Sequence, residues 1–135
     1  MMTLDQARAF FAHDVFASKQ ANVVIDEISP DKAVCSMQIT PDHLNANNTV
    51  MGGAIFTLAD LCFAAATNTG DFRTVSVESS ITFLRAASVG SLHAESVPLK
   101  IGKSICFYRV EITDDDGNLI AEVSFTGSRR AVVKA

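Results

Sequence analysis

The stretch from Met51 to Gly70, MGGAIFTLADLCFAAATNTG, limits the folds open to this chain more than any other. After a pair of glycines it continues as an apolar segment of about four helical turns. Asp60 is its one charge. On a helix, the neighbours of Asp60 three and four residues away are Phe56, Thr57, Phe63 and Ala64, none of which can pair with it. A segment apolar nearly all round predicts a buried helix. A carboxylate buried there without a partner costs several kcal/mol or has its pKa driven upward. The rest of the fold must cover this helix, and the acid needs a reason to be there.

At 135 residues the chain is expected to form one domain, spanning 1–135, with room for a real core. A hydrophobic content of 48% against 19% charged residues excludes a disordered chain. The net charge of −4 argues against a nucleic-acid partner. The N-terminal run MMTLDQARAFFAHDVF carries Asp5 early and has no basic region leading into an apolar one, so no signal peptide is expected. Asp60 and polar residues interrupt the longest apolar run, so no membrane span is expected either. Cys35, Cys62 and Cys106 are odd in number, widely spaced and set in apolar segments. They predict buried, reduced thiols and a cytoplasmic protein.

Along the chain, Thr3 through Ala17 reads as a short amphipathic helix with Thr3 as N-cap, its apolar positions Leu4, Ala7, Phe10 or Phe11, and Val15. Strands are predicted over Ala21–Ile28 and Lys32–Ile39, joined by a Ser29-Pro30-Asp31 turn. The polar, Asn-rich loop PDHLNANNT delivers the chain to the long helix. Four strands follow, over Arg73–Arg85, Gly90–Leu99, Ser104–Thr113 and Leu119–Ser128, the last two joined through an Asp-Gly turn. In the first of them Val75, Val77, Ile81 and Phe83 are predicted on one face and Thr74, Ser76, Glu78 and Thr82 on the other. In the last, Leu119, Ala121, Val123 and Phe125 are predicted to face the core. Consecutive strands at hairpin spacing imply an antiparallel sheet. A helix apolar on every side needs that sheet curved around it and a partner subunit over the remainder. The prediction is an α+β hotdog fold, a curved antiparallel sheet wrapped around one long central helix, with a short N-terminal helix.

Asn45, the run Met51-Gly52-Gly53 and Asp60, within LNANNTVMGGAIFTLAD, resemble the PaaI-like branch of the hotdog acyl-CoA thioesterases. Members of that branch show an Asn, then His-Gly-Gly, then Leu-Ala-Asp on the central helix. The run TVSVESSITFLRAA resembles the strand that follows. The resemblance implies hydrolysis of an acyl-CoA thioester, with no metal or redox cofactor and coenzyme A entering only as part of the substrate. It also implies a homodimer, associating further as a dimer of dimers. Asp60 would be general base or nucleophile, and a backbone N–H at Gly52 or Gly53 would polarise the thioester oxygen. Asn45 would orient water or substrate, and Ser76 would stand near the attacking water. Met51 departs from the pattern, standing where the family has His. His43, eight residues upstream, is a candidate substitute.

The same roles follow from physical chemistry. A helix N-terminus offers unpaired N–H groups and a partial positive charge, and glycines there let a substrate approach the backbone. One oxyanion donor can lower a barrier by about 3–4 kcal/mol. Asp60 lies seven residues beyond Gly53, about 10 Å along a helix axis. The two ends of the motif would then serve different active sites, each completed by a neighbouring subunit. Plainer readings stand beside these. Asp60 could bond backbone or hydroxyl across an interface, Gly52-Gly53 could make a tight turn, and Asn45 could be one more turn residue. Ser76, on the polar face of its strand, reaches a site only at a subunit interface.

Coenzyme A phosphates need cations, and Arg85, Lys100, Lys103, Arg109, Arg129 and Arg130 are available. Lys103, after Gly102 at a strand start, is the one singled out. Phe56, Phe63, Phe72 and Phe83 are candidates for an acyl pocket and equally for plain core. His13, His43 and His93 lie at no ligand spacing to one another or to the cysteines, so no metal site is expected. The rival functions are a non-catalytic acyl-CoA binding dimer and a hydroxyacyl-thioester dehydratase.

Overall fold

In the computed structural model residues 1–132 are described, so the last three residues of the expected 1–135 domain lie outside the described residues. The order is α1 (Leu4–Phe11), β1 (Val23–Ser29), β2 (Lys32–Gln38), α2 (Gly52–Thr67), β3 (Phe72–Phe83), β4 (Ser91–Ile101), β5 (Ile105–Thr113) and β6 (Leu119–Ala131). The six strands form one antiparallel sheet in the order β1-β2-β4-β5-β6-β3. α2 packs against every one of them. The curved sheet around one long helix, with a short helix before it, is as predicted.

The core is the inner face of this sheet against α2. Leu58, Ala59, Cys62, Phe63 and Ala66 of the helix are buried against Cys35, Met37, Leu92, Tyr108, Val110, Val123 and Phe125. Phe63 stacks on Phe125 with ring centroids 4.5 Å apart and meets Tyr108 edge-on at 5.4 Å. Such aromatic pairs add about 0.5–1.5 kcal/mol each beyond their burial. Cys35, Cys62 and Cys106 are buried and free, as expected.

Three readings of the sequence need correction. The N-terminal helix is capped at Thr3, where Thr3 Oγ1 accepts from the Gln6 N–H and Gln6 Oε1 accepts from the Thr3 N–H. It ends at Phe11 rather than Ala17. The Ser18 hydroxyl donates to the Ala12 carbonyl left open at the helix end, and a separate π-helical turn, Phe16–Gln20, follows. Asp14 therefore lies in the bend, and Val15 and Phe16 open the π-helical turn rather than continuing the face of α1.

In β3 the alternation is broken. The register moves from Ser76↔Gly127 to Glu78↔Thr126, so Val77 is an extra residue in a bulge. Directly opposed residues share one side of a sheet. Ser76 thus shares the side of Gly127, where a Cβ would meet the Phe63 ring at 3.0 Å, and Ile81 shares the side of buried Val123. Thr74, Ser76, Ile81 and Phe83 face the helix side, and Val75 faces away. β6 carries a similar irregularity: Ile112 opposes Ala121 but Thr113 opposes Leu119, so Ile120 is extra. Ile120, Ala121, Val123 and Phe125 are buried, whereas Leu119 is exposed.

The two edges of the sheet are treated differently. Beside β1, α1 sends Arg8 Nε to the Ile25 carbonyl (2.8 Å), next to a bulge at Asp26. β3 pairs with β6 on one side and leaves its other edge open, with Val75 and Val77 68% and 62% exposed. An open, apolar edge strand is a template for another chain.

Candidate active site

α2 begins at Gly52 with Met51 as N-cap, and the Met51 side chain makes no capping bond. The Met51 carbonyl accepts from Ala54 and Ile55, so the N–H groups of Gly52 and Gly53 are the ones left at the helix mouth. The two glycines differ in purpose. A Cβ at Gly52 would come within 2.8 Å of the Phe83 ring, whereas a Cβ at Gly53 would meet nothing within 4 Å. Gly52 is small because Phe83 packs on it. Nothing inside the chain demands glycine at Gly53.

A cavity opens at this helix end, lined by Asn45, Thr49, Gly52, Ile55, Phe83 and Arg85 among others, with a volume of about 430 Å³. Asn45 sits at its edge and closes its own loop. Its Oδ1 accepts from the N–H groups of Asn47 (2.9 Å) and Thr49 (3.2 Å), and its Nδ2 donates to Thr49 Oγ1 (3.0 Å). The turn-forming reading of Asn45 therefore holds, alongside a position facing the cavity.

Asp60 lies on the outer face of α2. Gly53, Thr57, Asp60 and Ala64 fall on one stripe of the helix, and the Thr57 hydroxyl is bonded to the Gly53 carbonyl (2.8 Å). Within a single chain Asp60 is exposed, because the sheet covers only the other side of the helix; its expected burial needs the partner subunit over the remainder. It opens into a second cavity of about 340 Å³, lined by Asp14, Val15, Phe16, Ala17, Thr57, Asp60, Leu61 and Ala64. Partial removal from water, and secondarily the charge of Asp14, push the Asp60 carboxyl above its ordinary value. Asp14, Val15 and Phe16 are the residues that reading the sequence missed. The sequence held no signal for them, because Val15 keeps the helical spacing across the bend.

His43 does not replace the family histidine. It is buried, and the Thr40 N–H donates to its Nδ1 (2.9 Å), which leaves Nε2 to donate to the Ala21 carbonyl (2.8 Å). Both ring nitrogens are committed to backbone. Met51 is 58% exposed at the helix mouth. Ser76 is exposed on the helix-facing side of the edge strand β3. Lys103 is exposed in the β4–β5 turn and lines neither cavity, whereas Arg85 lines the one at the helix mouth. Of the phenylalanines, Phe63 is core, Phe56 is half-buried against Phe125, Phe72 lies under the Arg129 guanidinium, and Phe83 borders the helix-mouth cavity. Within one chain the structure groups Asn45, Gly52 and Arg85 at one cavity and places Asp60 at another.

Comparison with known proteins identifies the family. Residues 47–121 match the family model of the thioesterase superfamily. The chain is 33% identical over 118 residues to acyl-coenzyme A thioesterase PaaI of Escherichia coli, covering 85% of this chain and 82% of that protein. It is 32% identical over 105 residues to human acyl-coenzyme A thioesterase 13, covering 74% of each. The solved structure of the E. coli PaaI protein superposes with a TM-score of 0.82 at 27% identity, covering 96% of this chain and 97% of that one. A family match across more than half the chain, together with the shared architecture, places the protein in the thioesterase superfamily as a PaaI-like hotdog thioesterase.

Proposed function

We propose that this protein hydrolyses an acyl-CoA thioester to free coenzyme A and a carboxylic acid, at a site assembled from two subunits. The observation that carries the reading is that Gly52 lines the helix-mouth cavity while Asp60, seven residues along α2 from Gly53, opens into a different one. At about 1.5 Å per residue Gly53 and Asp60 are about 10 Å apart, too far to act on one carbonyl. A second copy supplies the missing half. The thioester oxygen sits at the N–H groups of Gly52 and Gly53 of one subunit, and Asp60 of the other acts as general base toward water or as nucleophile. The carbon–sulfur bond breaks and the coenzyme A thiolate leaves with a proton. A carboxyl raised above its ordinary value is a stronger base than an ordinary aspartate once ionised.

Pairing along the open edge of β3 is the proposed dimer contact, with a dimer of dimers as the larger assembly. It brings Ser76, on the helix-facing side of that strand, toward the partner's site. Asn45 orients water or the acyl carbonyl at the helix mouth. Arg85 is better placed than Lys103 to meet a coenzyme A phosphate. Met51 contributes apolar contact where the family has a histidine. The substrate is water-soluble, and the proposed compartment is the cytoplasm.

The test is a coenzyme A release assay over short, long and aryl acyl-CoAs with wild type, Asp60→Asn and Asp60→Ala. Turnover by wild type that both variants lose by at least about 100-fold is the expected result. Wild-type activity retained by both variants overturns the mechanism. No release from any thioester would favour a non-catalytic binding dimer. The dehydratase reading has lost its histidine, because His43 is fully engaged.

A further inference from the structure

The Asp60 cavity has a composition that the hydrolytic chemistry does not require. Two of its eight lining residues, Asp14 and Asp60, are carboxylates, and neither Lys nor Arg lines it. Its one hydroxyl, Thr57, is already bonded to the Gly53 carbonyl. The other five are apolar. Of these Val15 is 49% and Phe16 is 68% exposed, held open by the bend between Phe11 and the π-helical turn. Asp14 makes no side-chain hydrogen bond or ion pair among the described residues, so none of them neutralises its charge. The volume, about 340 Å³, lies at the small end of the range of about 300–1,000 Å³ that ligand pockets occupy.

We propose that the segment Asp14–Ala17 is the acyl-recognition element of this enzyme, with Phe16 forming a wall against an uncharged apolar acyl group and Asp14 rejecting acyl groups that end in a carboxylate. The proposal rests on the reading that Asp60 acts on the thioester. An acyl chain attached to a carbonyl beside Asp60 must run along the cavity that Asp60 opens into. Apolar carbon there removes Val15, Phe16 and Leu61 from water, at about 25 cal/mol per Å² of buried apolar surface. A terminal carboxylate would bring a third negative charge beside two, with no cation lining the cavity to balance it. Asp60 already feels Asp14 as a neighbouring like charge.

The experiment compares kcat/KM for hexanoyl-CoA, adipyl-CoA and acetyl-CoA in wild type, Asp14→Asn, Asp14→Glu, Phe16→Ala and Asp60→Asn. Hexanoyl and adipyl have the same chain length and differ by the terminal carboxylate. Wild type is expected to prefer hexanoyl. Asp14→Asn narrows the hexanoyl-to-adipyl ratio by about fivefold, the scale of one contact between partly solvated charges, and Asp14→Glu keeps it. Phe16→Ala lowers the hexanoyl-to-acetyl ratio by about tenfold, because acetyl is too short to use the wall. Failure of either ratio to move, with Asp60→Asn inactive, overturns the recognition element and leaves the role of Asp60 standing. An Asp60→Asn variant as active as wild type removes the foundation of both.

Discussion

At the scale of single residues, the proposed role of Asp60 would couple stability to activity. Its carboxyl is raised in the folded chain by partial desolvation and then by Asp14, so folding penalises the ionised form. The favourable contribution of the protonated acid is fully present below the unfolded value and is lost as pH rises through the raised one. At neutral pH, Asp60→Asn should therefore stabilise the fold, by less than about 1 kcal/mol because the group is partly solvated. The gain should vanish in acid below the ordinary carboxylate range, which urea titrations at several pH values will show. If Asp60 is the base or nucleophile, as proposed, activity should fall on the acid side at higher pH than for an ordinary aspartate. His43 carries the opposite kind of weight. His43→Ala would orphan the half-buried Thr40 N–H and the buried Ala21 carbonyl, at a cost of about 2–4 kcal/mol by chemical denaturation. The sequence pattern could not separate these two residues by role. Asp60 stood out by its isolation in an apolar segment, but His43 has partners 3 and 22 residues away that only the fold brings together.

At the scale of elements, the two glycines of α2 should respond in opposite directions. Gly53→Ala adds a methyl into open space and a better helix former, so the helix should gain about 0.5–1 kcal/mol. In the proposed mechanism the same methyl stands where the thioester approaches the N–H groups, so kcat/KM should fall while the melting temperature rises. Gly52→Ala should lose stability, because its Cβ would press on the Phe83 ring. Element order and type were legible because hydrophobic period and turn chemistry are local signals. The misreadings share a physical cause. One extra residue in a strand, Val77 in β3 or Ile120 in β6, reverses which side chains face the core from that point on. The alternation in composition continues straight across such a bulge. The register shift is set by pairing with the neighbouring strand, so it was invisible in β3 alone. The bend after Phe11 has the same character. Val15 keeps helical spacing in the sequence, yet the Ser18–Ala12 bond and the turn into β1 carry it to the Asp60 cavity.

At the scale of the whole molecule, the proposed mechanism gives each chain two half-sites. Gly53 and Asp60 are separated by two helical turns, Gly52 and Asp60 line different cavities, and the edge of β3 lies open beside exposed Val75 and Val77. An isologous dimer with a two-fold axis would bring the helix mouth of each subunit to the Asp60 of the other, producing two equivalent sites. That geometry makes a prediction no single-chain mechanism shares. Asp60→Asn removes the carboxylate, and Gly53→Val blocks the backbone donors. Each homodimer alone should be inactive. When the two variants are unfolded together and refolded at equal amounts, random pairing makes half the dimers mixed. In a mixed dimer one site receives both damaged halves and the other receives both intact ones. About a quarter of wild-type activity should return on random two-fold pairing, with unchanged KM because the restored sites are wild type in every residue. If the two halves instead acted within one chain, every site in every mixed dimer would carry one lesion. Mixing would then restore nothing.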